Sequence, residues 1–170
     1  YGERWGRHWL DLARYTDKTA SWLNSTAAAW LYRDWVVQAF NNDLPYNTFV
    51  KKQLANDLMN GSNPKDNAAL GFLGLSPTYW KELQLPPEII KTTVADEWEE
   101  RMDAVGRTFL GLTLGCARCH DHKFEPVTQV DYYAIAGVFA SVRIADRPMV
   151  DEKLWAPVTK ARAHVAELEK

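Results

Sequence analysis

Apolar residues recur at helical spacing along most of this chain. Trp5, His8, Trp9 and Leu12 fall at i, i+3, i+4 and i+7, so residues 3–15 read as an amphipathic helix whose buried face includes a histidine. Arg4, Arg7, Asp11 and Arg14 take its other faces. A polar loop follows Asp17, and Ser25 or Thr26 is placed to cap a second helix carrying Trp30, Leu31, Trp35, Val36 and Phe40, which stops at Asn41-Asn42-Asp43. Pro45 opens a third helix with Phe49, Val50, Leu54 and Leu58 on one face, closed by Asn60-Gly61.

Periodicity weakens over residues 63–85. Residues 63–75 are short and punctuated by glycine, and residues 76–85 read as a loop bearing Tyr79 and Trp80. Pro86-Pro87 marks a boundary, after which one long helix runs from Glu88 to Thr113 with Val94, Trp98, Met102, Val105 and Phe109 on a stripe. Residues 131–142 form a further helix through Tyr132, Tyr133, Ile135, Val138 and Phe139. Residues 158–170 are helical in character and end without a cap, as though the chain continued. The expected fold is all-α, an irregular multi-helix domain with long loops and no substantial sheet. Residues 1–143 form the domain, and residues 144–170 form a linker and the start of a C-terminal helix of a larger protein.

Composition narrows the function. With 20 Lys and Arg against 22 Asp and Glu, the chain has no electrostatic footprint for nucleic acid, and no basic cluster exceeds Lys51-Lys52. No apolar run approaches the roughly 18 residues needed to span a bilayer. The first residues, Tyr1-Gly2-Glu3-Arg4-Trp5, carry neither a start methionine nor a signal sequence, which reads as a processed segment. Eight Trp, seven Tyr and six Phe suit a large flat cofactor as well as an ordinary core.

Both cysteines lie in one stretch, Cys116-Ala117-Arg118-Cys119-His120. This is the C-x-x-C-H spacing of c-type haem attachment, in which two thiols add across the haem vinyl groups and the adjacent imidazole is carried under the iron. Three other readings compete with it. A thioredoxin-like pair needs a βαβ setting, which the preceding residues 109–115 at most imitate with one short strand. A zinc site would recruit His122 as fourth ligand, but the neighbours Cys119 and His120 do not easily both face one small tetrahedral ion. A disulfide across so short a loop is strained and constrains little, so it ranks last. Thioether attachment takes place outside the cytoplasm, so the haem reading implies a periplasmic or extracellular protein.

Several stretches together resemble a known family. These are Tyr1-Gly2-Glu3-Arg4-Trp5, Arg7-His8-Trp9-Leu10-Asp11, Ala13-Arg14-Tyr15, Tyr32-Arg33-Asp34-Trp35-Val36, Asn42-Asp43-Leu44-Pro45-Tyr46, Gln53-Leu54 and the run Phe109 to Pro126, followed by Asp131-Tyr132-Tyr133 and Gly137-Val138-Phe139. They are similar to the planctomycete-type cytochrome c domain, also known as a domain of unknown function. The resemblance implies a secreted, multidomain protein of planctomycetes and related bacteria, in which this segment sits beside other cytochrome-like and companion domains. It implies one covalent haem c held by Cys116 and Cys119, with His120 as proximal ligand.

For the opposite side of the iron, His8 is the first choice, because it lies on the apolar stripe of the first helix and within the family's Arg-His-Trp motif. Met102 is more readily a core residue, Met59 and Met149 are weaker candidates, and His164 lies outside the resemblance. His122 is placed to touch a propionate or carry protons, or to lie on the surface. Arg7, Asp11, Arg14 and Asp17 recur at three- or four-residue spacing, which suits a solvated ion-paired face, while Arg7 or Arg14 can alternatively neutralise haem propionates. Asp34, Asp43, Asp57, Asp121 and Asp131 show no paired spacing for acid/base work, and no phosphate loop or nucleophile elbow is present. The chain therefore reads as an extracytoplasmic electron-transfer module rather than a self-contained enzyme, its partners being a redox protein or adjacent domains. The alternatives are a haem-dependent part of an extracellular enzyme acting on a substrate such as carbohydrate, and a haem-free scaffold with a disulfide or zinc at the motif.

Overall fold

The computed structural model describes residues 1–17, 28–75, 86–142, 145 and 147–168. The expected caps Ser25 and Thr26 and the expected loop at 76–85 lie outside these residues. Helices α1 (Gly2–Leu12), α2 (Ala29–Asn41), α3 (Tyr46–Ala55), α4 (Gly71–Gly74), α5 (Pro87–Val105), α6 (Gln129–Ser141) and α7 (Glu152–Leu168) follow in order, joined in part by short 3₁₀ turns. No strand occurs among the described residues, so the all-α expectation holds. None of these helices is long and apolar enough to cross a membrane.

The first two helices end by the same device. Beyond α1, Tyr15 N–H donates to the Leu10 carbonyl at 2.9 Å and Arg14 N–H to that of Asp11 at 3.1 Å. Beyond α2, Leu44 and Asp43 repeat the pattern on Ala39 and Phe40 at 3.0 and 3.3 Å. Both are Schellman ends, and each demands a left-handed residue: Arg14 at φ 55° and Asp43 at φ 50°. This stops α1 at Leu12, short of the expected Tyr15. Asn63 caps the 3₁₀ turn Pro64–Leu70 by accepting from Lys65 N–H at 3.0 Å, and Thr128 with Asp131 closes a capping box at the start of α6.

Two apolar clusters form the interior. The first gathers Tyr32, Trp35, Val36 and Ala39 of α2, Phe49 of α3, Ala69, Phe72 of α4 and Ala104 of α5, with Trp9, Leu10 and Phe109 packed around them. The second joins Met102 of α5 to Leu114, Ala117, Val127 and Tyr132. One buried polar residue ties three helices of the first cluster. Gln53 of α3 has no exposed surface, and its Oε1 accepts from Trp9 Nε1–H and from the Tyr32 hydroxyl, both at 2.8 Å. Its own amide donates to the Phe49 carbonyl at 3.2 Å. Burial pushes the Tyr32 hydroxyl well above its ordinary pKa, so it stays a donor.

Four expectations need correction. The third helix ends at Ala55, short of Asn60-Gly61, and Leu54 and Leu58 of its expected face are exposed. Trp5, His8 and Leu12 are exposed, because α1 rests on α2 through Gly2 and Gly6 and turns Trp9, not the whole predicted stripe, inward. The long helix stops eight residues early: α5 ends at Val105, a π-helical turn spans Gly106–Leu110, and Gly111 at φ 66° turns the chain out. The terminal helix begins at Glu152 and contains Pro157.

Two substitutions probe these features. Replacing Gln53 with leucine leaves the Tyr32 hydroxyl without its acceptor and Trp9 Nε1–H with only its longer 3.2 Å contact to Tyr32; chemical denaturation should show a loss of about 2–3 kcal/mol, with a changed tryptophan emission. Asp43→Gly relieves a left-handed non-glycine residue and should raise stability by roughly 0.5 kcal/mol after the added chain entropy of glycine is offset, read as a higher melting temperature.

Candidate functional site

The π turn after α5 sets the position of the motif. Leu112 N–H donates to the Gly106 carbonyl at 3.0 Å, and a Cβ on residue 106 would stand 2.9 Å from Leu114 Cγ. Only glycine allows Leu114 to fold back against α5 and enter the second cluster beside Met102. From Leu114 the chain enters a 3₁₀ turn, Gly115–Arg118, closed by Ala117 N–H on the Leu114 carbonyl at 2.9 Å. Ala117 is completely buried, whereas Cys116, Cys119 and His120 are exposed. Both cysteines are free thiols. Cys116 lies within this turn and Cys119, three residues on, is its C-cap.

The two histidines of the segment are engaged in opposite ways. His120 Nδ1 lies 2.7 Å from the Asp121 carbonyl, which only accepts, so Nδ1 carries the proton and Nε2 keeps a lone pair with no hydrogen-bond partner among the described residues. A metal-ligating imidazole needs this tautomer and this backing. His122, by contrast, accepts at Nδ1 from the backbone N–H groups of Glu125 and Phe124 at 2.9 and 3.2 Å. Its Nε2–H therefore faces Thr113 Oγ1 at 3.3 Å. Thr113 in turn donates its hydroxyl to Glu125 Oε1 at 2.8 Å and its N–H to Oε2 at 2.7 Å. Together with His122 N–H on the Val127 carbonyl at 2.9 Å, this network staples the residues after the motif to those before it. Its hydrogen bonds, first that of the Thr113 hydroxyl, hold the Glu125 carboxyl below its ordinary pKa.

The remaining sequence-predicted residues are placed elsewhere. His8 sits on the outer face of α1 with its ring 5.7 Å from that of Trp5, so the buried setting expected for it is absent. The Arg14 guanidinium is taken up by Glu100 and by Asp103 of α5, the latter at 2.5 Å. Arg7 lines an open cleft of about 930 Å³ between α1 and α2, with Glu3, Arg4, Asp11, Arg33 and Asp34. With both nitrogens occupied, His122 is not available as the fourth ligand of a zinc site. Among the described residues no group of three or more His, Cys, Asp or Glu is placed to hold a metal ion.

Sequence reasoning missed Thr113 and Glu125, whose partnership spans twelve residues. It also missed Arg118 as more than a spacer. The Arg118 guanidinium donates to Glu99 of α5 at 2.6 Å, and the Arg118 carbonyl accepts from Gln129 Nε2 and the Tyr133 hydroxyl of α6. The i,i+3 spacing of His122 and Glu125 was the one available hint of the first network.

A family profile named PSCyt2 and described as a protein of unknown function (DUF1549) matches residues 1–144. No curated protein and no solved structure matches the chain.

The Glu125 network makes a pH-dependent prediction. A carboxylate with a lowered folded pKa adds stability above its unfolded pKa, and that contribution disappears as pH falls through the folded value. The Thr113 amide resonance should accordingly titrate at a pH below the ordinary glutamate range. In Glu125→Gln, which presents an amide N–H₂ to one of the Thr113 donors, that titration should vanish and the segment after the motif should exchange its amide protons faster.

Proposed function

The chain belongs to the PSCyt2 family of proteins of unknown function, and on that premise we propose that it is an extracytoplasmic c-type cytochrome module. Cys116 and Cys119 would hold one haem c as covalent anchors, and His120 would be its proximal ligand. The observation that carries this reading is the state of His120: Nδ1–H on the Asp121 carbonyl, Nε2 unengaged, one residue from an exposed thiol. When bound, the iron supplies one-electron redox chemistry, exchanged with a redox protein or an adjacent domain.

The chain's own contribution is orientation. The Asp121 carbonyl fixes the plane of the imidazole and raises the basicity of Nε2. Burial of Ala117 pins the turn between the two cysteines to the second cluster. The staple of Thr113, His122 and Glu125 keeps the residues after His120 from swinging away. Covalent attachment places the protein outside the cytoplasm.

Expression in cells with a working haem-maturation system tests the proposal. The matured chain should gain the mass of one haem that survives denaturation and shows a covalent-haem α-band. Cys116→Ser/Cys119→Ser should lose both signatures, and His120→Ala should keep the thioethers while shifting the Soret band. A wild-type chain that emerges without haem, from cells that mature another c-type cytochrome in parallel, would overturn it.

A further inference from the structure

We infer that Arg118 is a positioning residue for the thiol pair, an inference that rests on the haem-attachment reading for its purpose but not for its geometry. The attachment spacing by itself asks nothing of the two residues between the cysteines. Here they have opposite fates. Ala117 is completely buried in the second cluster, while Arg118 reaches outward and is held from both ends.

Its guanidinium Nη1 donates to Glu99 Oε2 at 2.6 Å and lies 3.8 Å from Asp96 Oδ1, both on α5. Its carbonyl accepts from Gln129 Nε2 at 3.1 Å and from the Tyr133 hydroxyl at 3.2 Å, both on α6. A single residue therefore bridges the two helices that flank the turn, and it stands between Cys116 and Cys119 in the chain. Glu99 reaches the other side of the turn as well, since its Oε1 lies 3.6 Å from where a Cβ on Gly115 would be.

The value of this clamp is in geometry rather than stability. The Arg118 side chain is 43% exposed, and ion pairs so placed contribute little to folding because water and salt screen them. What the clamp fixes is rotation of the turn about its own axis. Ala117 anchors one side and the Arg118 carbonyl is tied to α6, so the guanidinium supplies the tie to α5; without it the turn and the cysteines at its ends are free to tilt. Held at both ends, the turn keeps Cys116 and Cys119 in one fixed relation, as a ligand with two attachment points requires. Nη1 meets both carboxylates, so a lysine ammonium, a single charged point on a flexible stem, keeps part of this contact.

Phenylarsine oxide tests the geometry without haem, because its trivalent arsenic binds tightly only when two sulfurs reach it together. On the reduced chain, Arg118→Gln should weaken phenylarsine oxide binding about tenfold with an unchanged melting temperature, and R118K should recover part of the loss. Glu99→Gln should reproduce R118Q, and the double variant should add little to either, as expected of two residues acting as one unit. The yield of covalent haem in the matured chain should fall in step. Equal arsenical affinity in R118Q and wild type would overturn the inference. Should R118Q lose its helical circular dichroism, Glu99→Gln and Tyr133→Phe carry the same test, and wild-type affinity in both would overturn it. A clamp-dependent arsenical affinity in a chain that never acquires haem would sustain the geometry and overturn the haem reading instead.

Discussion

Everything in this domain depends on α5 being buried on two opposite faces. Met102 and Ala104 are two residues apart, which on a helix is about 200° of rotation, and they belong to different apolar clusters. A helix in that position has little room for charge, yet α5 carries many acidic and basic side chains. They are accommodated by pairing. Glu97 and Arg101 are both buried and face each other at 3.8 Å, with burial holding the Arg101 pKa below its ordinary value. At the edges, Glu100 and Asp103 take Arg14 from the end of α1, and Glu99 takes Arg118 from the motif. The helix therefore joins the first cluster to the candidate site, and its charges hold the segments on either side of it.

That arrangement explains why the motif needs an irregular approach. A regular continuation of α5 would carry residues 106–113 away along the helix axis. The π turn, a left-handed Gly111 and a 3₁₀ turn reverse the chain between Gly106 and Arg118, so that Leu114 and Ala117 return to the face of Met102. Such departures from helical geometry concentrate at functional sites because they re-aim side chains that a straight helix would direct elsewhere. Here the re-aimed side chains are two thiols and an imidazole, exposed above a buried alanine.

The sequence shows its helices wherever apolar spacing is regular and caps are local. α2 and α6 are legible in this way, while α3 is legible at its Pro45 start and not in its length or in the Leu54 and Leu58 part of its face; the C-x-x-C-H spacing singles out the candidate site directly. What it hides is set by tertiary contact. The first helix carries aromatic residues on more than one face, and only the close approach of Gly2 and Gly6 to α2 decides that Trp9 goes inward while Trp5 and His8 stay out. The end of α5 was misread because Phe109 continues the stripe of Val105 and Met102 in sequence, although it packs on Trp9 and Phe72 from a widened turn. The partners of Arg14, Arg118 and Thr113 lie between nine and eighty-nine residues away. No local pattern reports such pairs.

The two histidines of the segment show how far proton placement alone can separate chemistries. They are two residues apart and equally eligible as ligands by composition. His122 accepts two backbone N–H bonds at Nδ1, which forces its proton onto Nε2 and toward Thr113, so neither nitrogen can offer a lone pair without breaking the staple. His120 has the reverse assignment, with Nδ1–H on a carbonyl and the Nε2 lone pair left over. A tetrahedral zinc site needs several donors converging on one point, and it loses its fourth member once His122 is occupied. A thioether-anchored haem asks the protein for only one ligand nitrogen, because the sulfurs bind carbon rather than metal. The donor set on this turn falls short of the first chemistry on those grounds, and the shortfall follows from which carbonyls and amides the backbone happens to present.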